Sequence, residues 1–358
     1  MKVKSLLLII AAILLIGAII AGCAAPAPTP APAPAPAPAP EKPSYTIKLA
    51  QYQGLPEMQH HQTALRFQAS VEKASGGRIT ISHYPGDLLG DWEVQELNVK
   101  KGALDMTIAL PSAGYDPDSE FVILPYIIFD WEGVQKVYGP GGPGAELAKK
   151  IQERNNAHFL AAVVTSPVVI HGSKRWVPMP GDPSMKELKI RVMPSKMEEI
   201  TGKALGFGTV LSMPWSEVAS AYMLGTIDGV MSNNTLEAIT FKDHMKYCYK
   251  YSYILGADDW VINMDLWNSL PAEDQGIIQS AMEEAAQWAN QNAEVMTQDT
   301  LTQMEEAGIE VIELTPEQMS ANIEVCRDQV WPWAEENMLS KEVMDFIREQ
   351  VAQPVPSS

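Results

Sequence analysis

Arg191 is the residue whose type and placement best suit a chemical task in this sequence. Leu188, Ile190 and Val192 are apolar and the residues between them are charged, which is the period of a half-buried strand. The arginine is therefore delivered to the face opposite the core at a strand's end, where open α/β sheets bind ligands. A guanidinium held there can bind a carboxylate through two parallel hydrogen bonds. Judged by position alone, it could equally form a structural ion pair or lie in solvent.

The sequence lacks the common motifs of catalysis and phosphate binding. It contains no G-x-S-x-G, no P-loop, no H-E-x-x-H and no G-x-G-x-x-G behind a strand. His60 and His61 are adjacent, so on a helix they would point about 100° apart and form a poor metal pair. No group of His and Cys residues has zinc-ligand spacing. These observations predict a protein that is not an enzyme and that uses neither a cofactor nor a metal.

Residues 188–229 are the stretch that positions the arginine, and they read strand, helix, short strand, helix, strand. Met193 and Pro194 stop the first strand directly after Arg191. Ser195 and Glu198 fit the S-x-x-E capping box that begins a helix. The arginine is thus expected at a strand-to-helix turn.

The N-terminal part of the globular region predicts a parallel sheet with helices on its faces. Strands are expected at residues 47–53, 79–84 and 106–110, and helices at 58–74 and 91–100. The loops that follow these strands should gather at one sheet edge and line a cleft. Gln53, Ser112 and Tyr115 lie in those loops and are candidate ligand-binding residues.

The remaining pattern predicts a second lobe and a long connecting helix. Further helices are expected at 130–138 and 145–155, and strands at 158–164, 168–172, 258–264 and 309–314. Ser269 is expected to cap a helix over 271–306, about 50 Å long and able to cover both lobes. Two helices, 315–338 and 341–352, close the chain. The predicted lobes comprise residues 45–166 with 252–305 and residues 167–251 with 306–358, and Trp260 on the returning strand is a further candidate for the cleft.

The charge balance excludes one class of partner. The chain has 358 residues, a net charge of −18 and a pI near 4.7. Nucleic-acid binding needs basic patches, so this acidic composition argues against it. The length fits about two domains.

The N-terminus carries a targeting segment that must be separated from the fold. Residues 5–22 are almost wholly apolar, and Ile20-Ala21-Gly22-Cys23 fits a lipobox, in which Cys23 accepts the lipid. A membrane-spanning helix is the alternative, since 18 residues are just enough to span. Residues 24–43 alternate alanine with proline and predict an extended spacer of about 60 Å at most.

Two cysteines remain in the globular region. Cys248 and Cys326 could form a disulfide in an extracytoplasmic compartment, or could be buried free thiols.

Several short motifs, in their order and spacing, resemble one family. They are SGGRITI at 75–81, GDLLGDWEVQELNVKKGALDM at 86–106, LKIRVMPS at 188–195, ALG at 204–206, SMPWSEVASAYMLGTIDG at 212–229 and NMDLWNSLPAEDQ at 263–275. With them, residues 46–315 resemble the substrate-binding proteins of tripartite ATP-independent periplasmic (TRAP) transporters, of the C4-dicarboxylate-binding type.

The resemblance implies an α/β fold: a two-lobe periplasmic-binding-protein clamshell with a long helix crossing both lobes. It implies a small organic acid trapped between the lobes, with its carboxylate gripped by Arg191. The aromatic of the family's P-[FW]-S-E element falls on Trp215. The asparagine that contacts ligand in the family corresponds to Asn233 or Asn234, because the segment after Asp228-Gly229 departs from the family pattern.

Another departure bears on the ligand. Many members carry a second arginine where this chain has Val168. The resemblance therefore implies a ligand with a single carboxylate and a more apolar body. The function it implies is a lipid-anchored solute-binding protein that delivers its ligand to the membrane subunits of a TRAP transporter. A ligand-sensing lipoprotein feeding a signalling system is the alternative.

Overall fold

The computed structural model describes residues 42–52, 54–109 and 114–355. The predicted signal segment, Cys23 and nearly all of the spacer lie outside the described residues, as do Gln53 and Ser112. The chain divides into Met1–Lys42 and Pro43–Ser358, and the second unit is described below. In the described part, each helix is too short or too polar to cross a membrane.

The described residues form eleven strands in two sheets. In chain order the strands are β1 (Tyr45–Gln51), β2 (Ile79–Pro85), β3 (Met106–Ala109), β4 (Ala157–Val164), β5 (Val168–Gly172), β6 (Lys189–Val192), β7 (Thr209–Ser212), β8 (Gly229–Asn234), β9 (Tyr247–Lys250), β10 (Ala257–Asn263) and β11 (Glu310–Glu313). One sheet has the order β2-β1-β3-β10-β4, and the other has the order β11-β9-β5-β8-β6-β7.

Each sheet contains a parallel unit of the kind that the sequence predicts. β1 pairs in parallel with β2 and β3, and β6 pairs in parallel with β7 and β8. β10 joins the first sheet antiparallel to β3 and β4. The carboxyl ends of β1 and β6 reach a common cleft described below, and β6 carries Arg191.

The helices lie around these sheets. They are α1 (Gln59–Ala74), α2 (Trp92–Lys100), α3 (Trp131–Tyr138), α4 (Pro143–Arg154), α5 (Lys196–Leu205), α6 (Trp215–Met223), α7 (Thr235–Ala238), α8 (Met264–Ser269), α9 (Ala272–Glu306), α10 (Pro316–Asn337) and α11 (Lys341–Phe346). Short 3₁₀ turns occur at Pro117–Ile123, Pro183–Met185 and Ile239–Phe241, and a π turn at Ile347–Val351 extends α11.

The long helix α9 spans both sheets. Its 35 residues extend about 52 Å. It packs on α1 and β4 of the first sheet and on α7 and β11 of the second. Small residues such as Ala285 and Ala289 form its buried stripe, which allows close approach. Gln59 ties the contact by donating to the carbonyls of Val164 and Ala289.

The residue predicted to cap this helix was wrong, although the predicted start at Pro271 lies within one residue of the observed start at Ala272. Ser269 does not cap α9, because it is the last residue of the separate helix α8, which begins after Asn263. The Asn263 side chain accepts the Leu266 amide at 2.9 Å and caps α8, and Pro271 is the residue before α9. The sequence analysis did not predict α8, because its six residues are too few to show a helical period.

Both remaining cysteines are free thiols in the structure. Cys248 packs with Val169 and Leu301, whereas Cys326 packs in a different cluster of apolar side chains with Met197 and Val330. Burial raises the pKa of the Cys248 thiol to about 12, so it is protonated and unreactive at neutral pH.

Candidate functional site

A cleft lies between the two sheets, and each sheet contributes one wall. Tyr52, Gly54, Leu55, Met58, Asp87 and Trp92 form the wall beside β1. Arg191, Met193, Trp215, Ser216, Ala219, Ser232, Glu237, Thr240 and Phe241 form the opposite wall. The cleft continues past Tyr52, Met193, Ser232 and Glu237 to Val122, Ile123, Thr165, Val168, Asn234, Ile254, Gly256, Ala257 and Asp258. The first two loops predicted to line a cleft therefore do so.

Arg191 is buried at the wall of this cleft. It is 2% exposed, while Ile190 and Val192 on either side of it pack into the core, as their alternation predicts. Its Nε donates to the Met213 carbonyl at 3.0 Å, which fixes the side chain. Within the described residues it forms no ion pair. Burial lowers its pKa to about 10, so the guanidinium stays charged at neutral pH.

Trp215 covers the guanidinium at the start of α6. The centre of its ring lies 5.5 Å from Cζ of Arg191, which is a cation–π distance. Its other contact is an edge-on packing against Phe241 at 5.2 Å between ring centroids. Trp215 is still 40% exposed, so one part of this large ring faces the cleft.

A buried carboxyl, Glu198, lies behind Arg191. Its Oε2 accepts hydrogen bonds from the hydroxyls of Ser232 at 2.6 Å and Tyr253 at 3.0 Å. Its Oε1 has no hydrogen-bond partner in the part of the chain that the structure describes. Burial, with a smaller contribution from the charge of Glu120, raises the pKa of Glu198 to about 7. The two hydroxyls and the charge of Arg191 oppose this rise.

The capping box predicted for α5 is therefore wrong. Ser195 precedes the helix, but its hydroxyl donates to Glu120 at 2.8 Å instead of capping α5. Glu198 points to Ser232 and Tyr253. Both side chains leave the helix end because buried carboxylates and hydroxyls elsewhere need partners. Ser232 has a φ of 65°, in the left-handed region, which strains the backbone of a non-glycine residue. Its hydrogen bond to Glu198 helps to stabilise this conformation.

The buried Glu198 predicts a dependence of stability on pH. Because its folded pKa is raised above the ordinary 4.5, the folded protein holds this proton more tightly than the unfolded chain. The contribution is fully present below pH 4.5 and is lost as pH rises through about 7. We expect Glu198→Gln to flatten the fall in the free energy of unfolding between about pH 5 and 8 by at most about 3 kcal/mol. Urea denaturation at a series of pH values measures this.

Asp259 provides the comparison for that experiment. It is buried too, its pKa is raised to about 7 by burial, and it accepts Gln152 Nε2 at 3.0 Å. Asp259→Asn should therefore also reduce the fall in the free energy of unfolding with rising pH. If the pH dependence of the free energy of unfolding were unchanged in both variants, the raised pKa values of Glu198 and Asp259 would be contradicted.

Hydrogen bonds order the wall opposite Arg191. The Tyr52 hydroxyl donates to Asp258 Oδ2 at 2.7 Å, and His60 Nε2 lies 2.8 Å from the same oxygen. Tyr52 directly follows the end of β1, and Asp258 is the second residue of β10. The hydroxyl hydrogen of Tyr52 is thus committed to Asp258, and its oxygen is left as an acceptor.

The structure brings together only part of the predicted site. Arg191, Trp215 and Asn234 line the cleft. Asn233 is wholly buried, with Oδ1 at 3.2 Å from His171 Nε2 and Nδ2 donating to Glu237 at 3.1 Å, so it holds a cleft residue in place.

Trp260 and Tyr115 are placed away from the cleft. Trp260 is wholly buried in the core beneath α9, because it lies two residues further into β10 than Asp258. Tyr115 is not among the residues that line the cleft, and the centre of its ring lies 4.6 Å from Lys100 Nζ. The sequence reasoning in turn missed Tyr52, Trp92, Glu237 and Asp258. A position just beyond a predicted strand was the available signal for Tyr52.

Residues 51–336 match the family described as bacterial extracellular solute-binding protein, family 7. The chain belongs to this family. Among its relatives is the C4-dicarboxylate-binding periplasmic protein DctP of Rhodobacter capsulatus, 28% identical over 75% of this chain and 81% of the relative. The predicted resemblance to TRAP solute-binding proteins is confirmed.

Solved structures confirm the two-lobe fold of this family 7 protein. A TRAP periplasmic solute-binding protein of Haemophilus influenzae with bound L-gulonate has a TM-score of 0.76 and 20% identity, covering 85% of this chain and 98% of that one. One from Desulfovibrio salexigens with bound orotic acid also has a TM-score of 0.76 and 20% identity, covering 86% and 99%. The cleft described above lies between the two sheets of this shared fold.

Proposed function

We propose that this protein captures a small organic acid by closing its two lobes and delivers it to the membrane subunits of a TRAP transporter. The observation that carries the proposal is Arg191, a buried guanidinium at the cleft wall that lacks an ion-pair partner within the described residues. A ligand carboxylate would supply that partner. The family membership and the acids bound by the H. influenzae and D. salexigens proteins support the same class of ligand.

Closure follows from the energetics of this arginine. A buried charge without a partner costs several kcal/mol, so the empty cleft favours an open, hydrated form. A carboxylate that contacts both walls stabilises the closed form, since it offers those contacts only when the lobes meet. We propose residues 45–166 with 252–305 and residues 167–251 with 306–358 as the moving lobes, with hinges near 166 and 251.

The cleft surface favours a single carboxylate. Val168 lines the cleft where many members carry a second arginine. Aromatic and aliphatic side chains such as Trp92, Met58 and Leu55 surround the remaining space. A ligand with one carboxylate and an apolar body fits these groups.

A thermal-shift screen tests the proposal. The panel contains monocarboxylates, with amino acids among them, and also dicarboxylates, keto acids, aromatic acids and sugar acids. Binding stabilises the folded protein by about 2.7 kcal/mol at a hundredfold excess over the dissociation constant, so at least one monocarboxylate should raise the melting temperature by several degrees. A flat response to every acid would contradict the carboxylate assignment.

We propose that the protein is held on the outer side of the cytoplasmic membrane by lipid on Cys23, with the alanine–proline segment as a spacer. The lipobox Ile20-Ala21-Gly22-Cys23 supports this anchor. The mass of the mature chain should be that of a diacylated N-terminal Cys23, and an intact Met1 would contradict it.

A further inference from the structure

The charges that face the cleft are unequal. Of the described residues that line it, Arg191 is the one cation, whereas Asp87, Glu237 and Asp258 are acidic. A simple anion would satisfy Arg191 but would then lie in a cleft of net negative charge. The balance calls for a ligand that also carries positive charge.

Glu237 is held at the cleft surface by hydrogen bonds. Its carboxylate accepts Nδ2 of the buried Asn233, and its backbone amide donates to Asn234 Oδ1 at 3.0 Å. Asn233 is held in turn by His171 Nε2 at 3.2 Å. The charge of Glu237 acts on both Arg191 and Tyr52, which lie on opposite walls. The carboxylate is therefore held within range of both walls.

The other polar groups opposite Arg191 also present acceptors. The Tyr52 hydroxyl is donated to Asp258, so Tyr52 offers only oxygen lone pairs to the cleft. The surrounding surface is aromatic and includes Trp92, Trp215 and Phe241. Aromatic faces beside a carboxylate attract an ammonium or a substituted ammonium, because the ring quadrupole is negative at its face.

We propose that the ligand is a small zwitterion, an amino acid or an N-alkylated derivative of one, whose carboxylate binds Arg191 and whose cationic nitrogen lies between Glu237 and the aromatic side chains. This inference rests on the proposed function and names the class of acid. A dicarboxylate would place its second charge against Glu237. A hydroxy acid could donate to Tyr52 and Glu237 but would bring no positive charge to a cleft lined by three acids and one arginine.

Matched ligands test the nitrogen directly. Isothermal calorimetry of the full chain in detergent at pH 7.5 would cover the common amino acids and glycine betaine, together with 2-hydroxy and deamino analogues such as 3-phenyllactate and 3-phenylpropionate for phenylalanine. We expect the nitrogen-bearing member of the best-binding set to bind at least tenfold more tightly than its hydroxy analogue. Equal or tighter binding of the hydroxy or deamino acid would overturn the inference and leave the proposed function intact.

Variants of Glu237 locate the effect. Glu237→Gln should weaken binding of the zwitterion at least tenfold and change binding of the hydroxy analogue less than threefold, whereas Glu237→Asp should keep the preference for nitrogen. Glu187→Gln removes an exposed acid outside the cleft and should leave both affinities unchanged. Unaltered zwitterion binding by folded Glu237→Gln would overturn the inference. Should Glu237→Gln fail to fold, the wild-type comparison still decides.

Discussion

Replacing Arg191 with alanine is expected to lower the affinity for the organic acid at least tenfold. Loss of one partner of a buried, hydrogen-bonded charge pair costs about 2–5 kcal/mol, and each 1.4 kcal/mol is a factor of ten in affinity. Arg191 is 2% exposed, so water cannot replace the lost guanidinium effectively. Isothermal calorimetry with the acid that gives the largest thermal shift measures the change.

Arg191→Lys separates geometry from charge. Lysine keeps the positive charge but cannot form two parallel hydrogen bonds or keep the contact between Nε and the Met213 carbonyl. We expect it to lose at least tenfold as well. Lys189→Ala, two residues earlier on β6, is the matched control. Lys189 Nζ donates to the Gly225 carbonyl and the residue does not line the cleft, so this variant should bind normally. Wild-type affinity in Arg191→Ala would remove Arg191 from the site.

Replacing Lys100 with methionine is expected to give the largest loss of stability. Lys100 Nζ lies 2.7 Å from Glu96 Oε1 within α2, and the two side chains are 0% and 1% exposed. Among the described residues, Oε2 of Glu96 already lacks a hydrogen-bond partner, and burial raises the pKa of the Glu96 carboxyl. Removing the lysine leaves a buried carboxyl without its counter-charge, which costs about 3–5 kcal/mol. Urea denaturation at pH 7 measures the free energy of unfolding.

A double variant and an exposed pair serve as controls. Glu96→Leu combined with Lys100→Met should recover most of the lost stability, because no charge then remains buried. Lys341 and Asp345 have the same spacing on α11 but are 77% and 46% exposed, so Lys341→Met should not shift the denaturation midpoint measurably. If Lys100→Met and Lys341→Met lost similar amounts of stability, burial would not be the reason for the effect at Lys100.

The fold followed closely from local patterns. Alternation in β6 placed Ile190 and Val192 in the core and Arg191 at the cleft, because side chains of a strand must point to opposite faces. The helix over 271–306 matched α9 to within one residue for a similar reason, since its apolar period is continuous. The helix α8 was not predicted, since its six residues are too few to show an apolar helical period.

The side of the cleft opposite Arg191 could not be predicted from local sequence patterns. Tyr52 and Asp258, whose hydrogen bond orders one wall, are 206 residues apart. Ser195 and Glu120 are 75 apart, and their contact removed a helix cap that the local S-x-x-E pattern favoured. Buried polar groups take whichever partner the fold supplies, so a motif of four residues cannot specify the outcome.

The sequence by itself determined the family, the order of most of the elements and the arginine that we propose as the carboxylate-binding residue. The tertiary structure alone decided what faces that arginine: Glu237 on its own wall, and Tyr52 with Asp258 across the cleft. The physical reason is the range of the interactions. Strand alternation and helix period are set by neighbours along the chain, whereas the charge and hydrogen-bond balance of a cleft depends on groups that meet only after both sheets have formed.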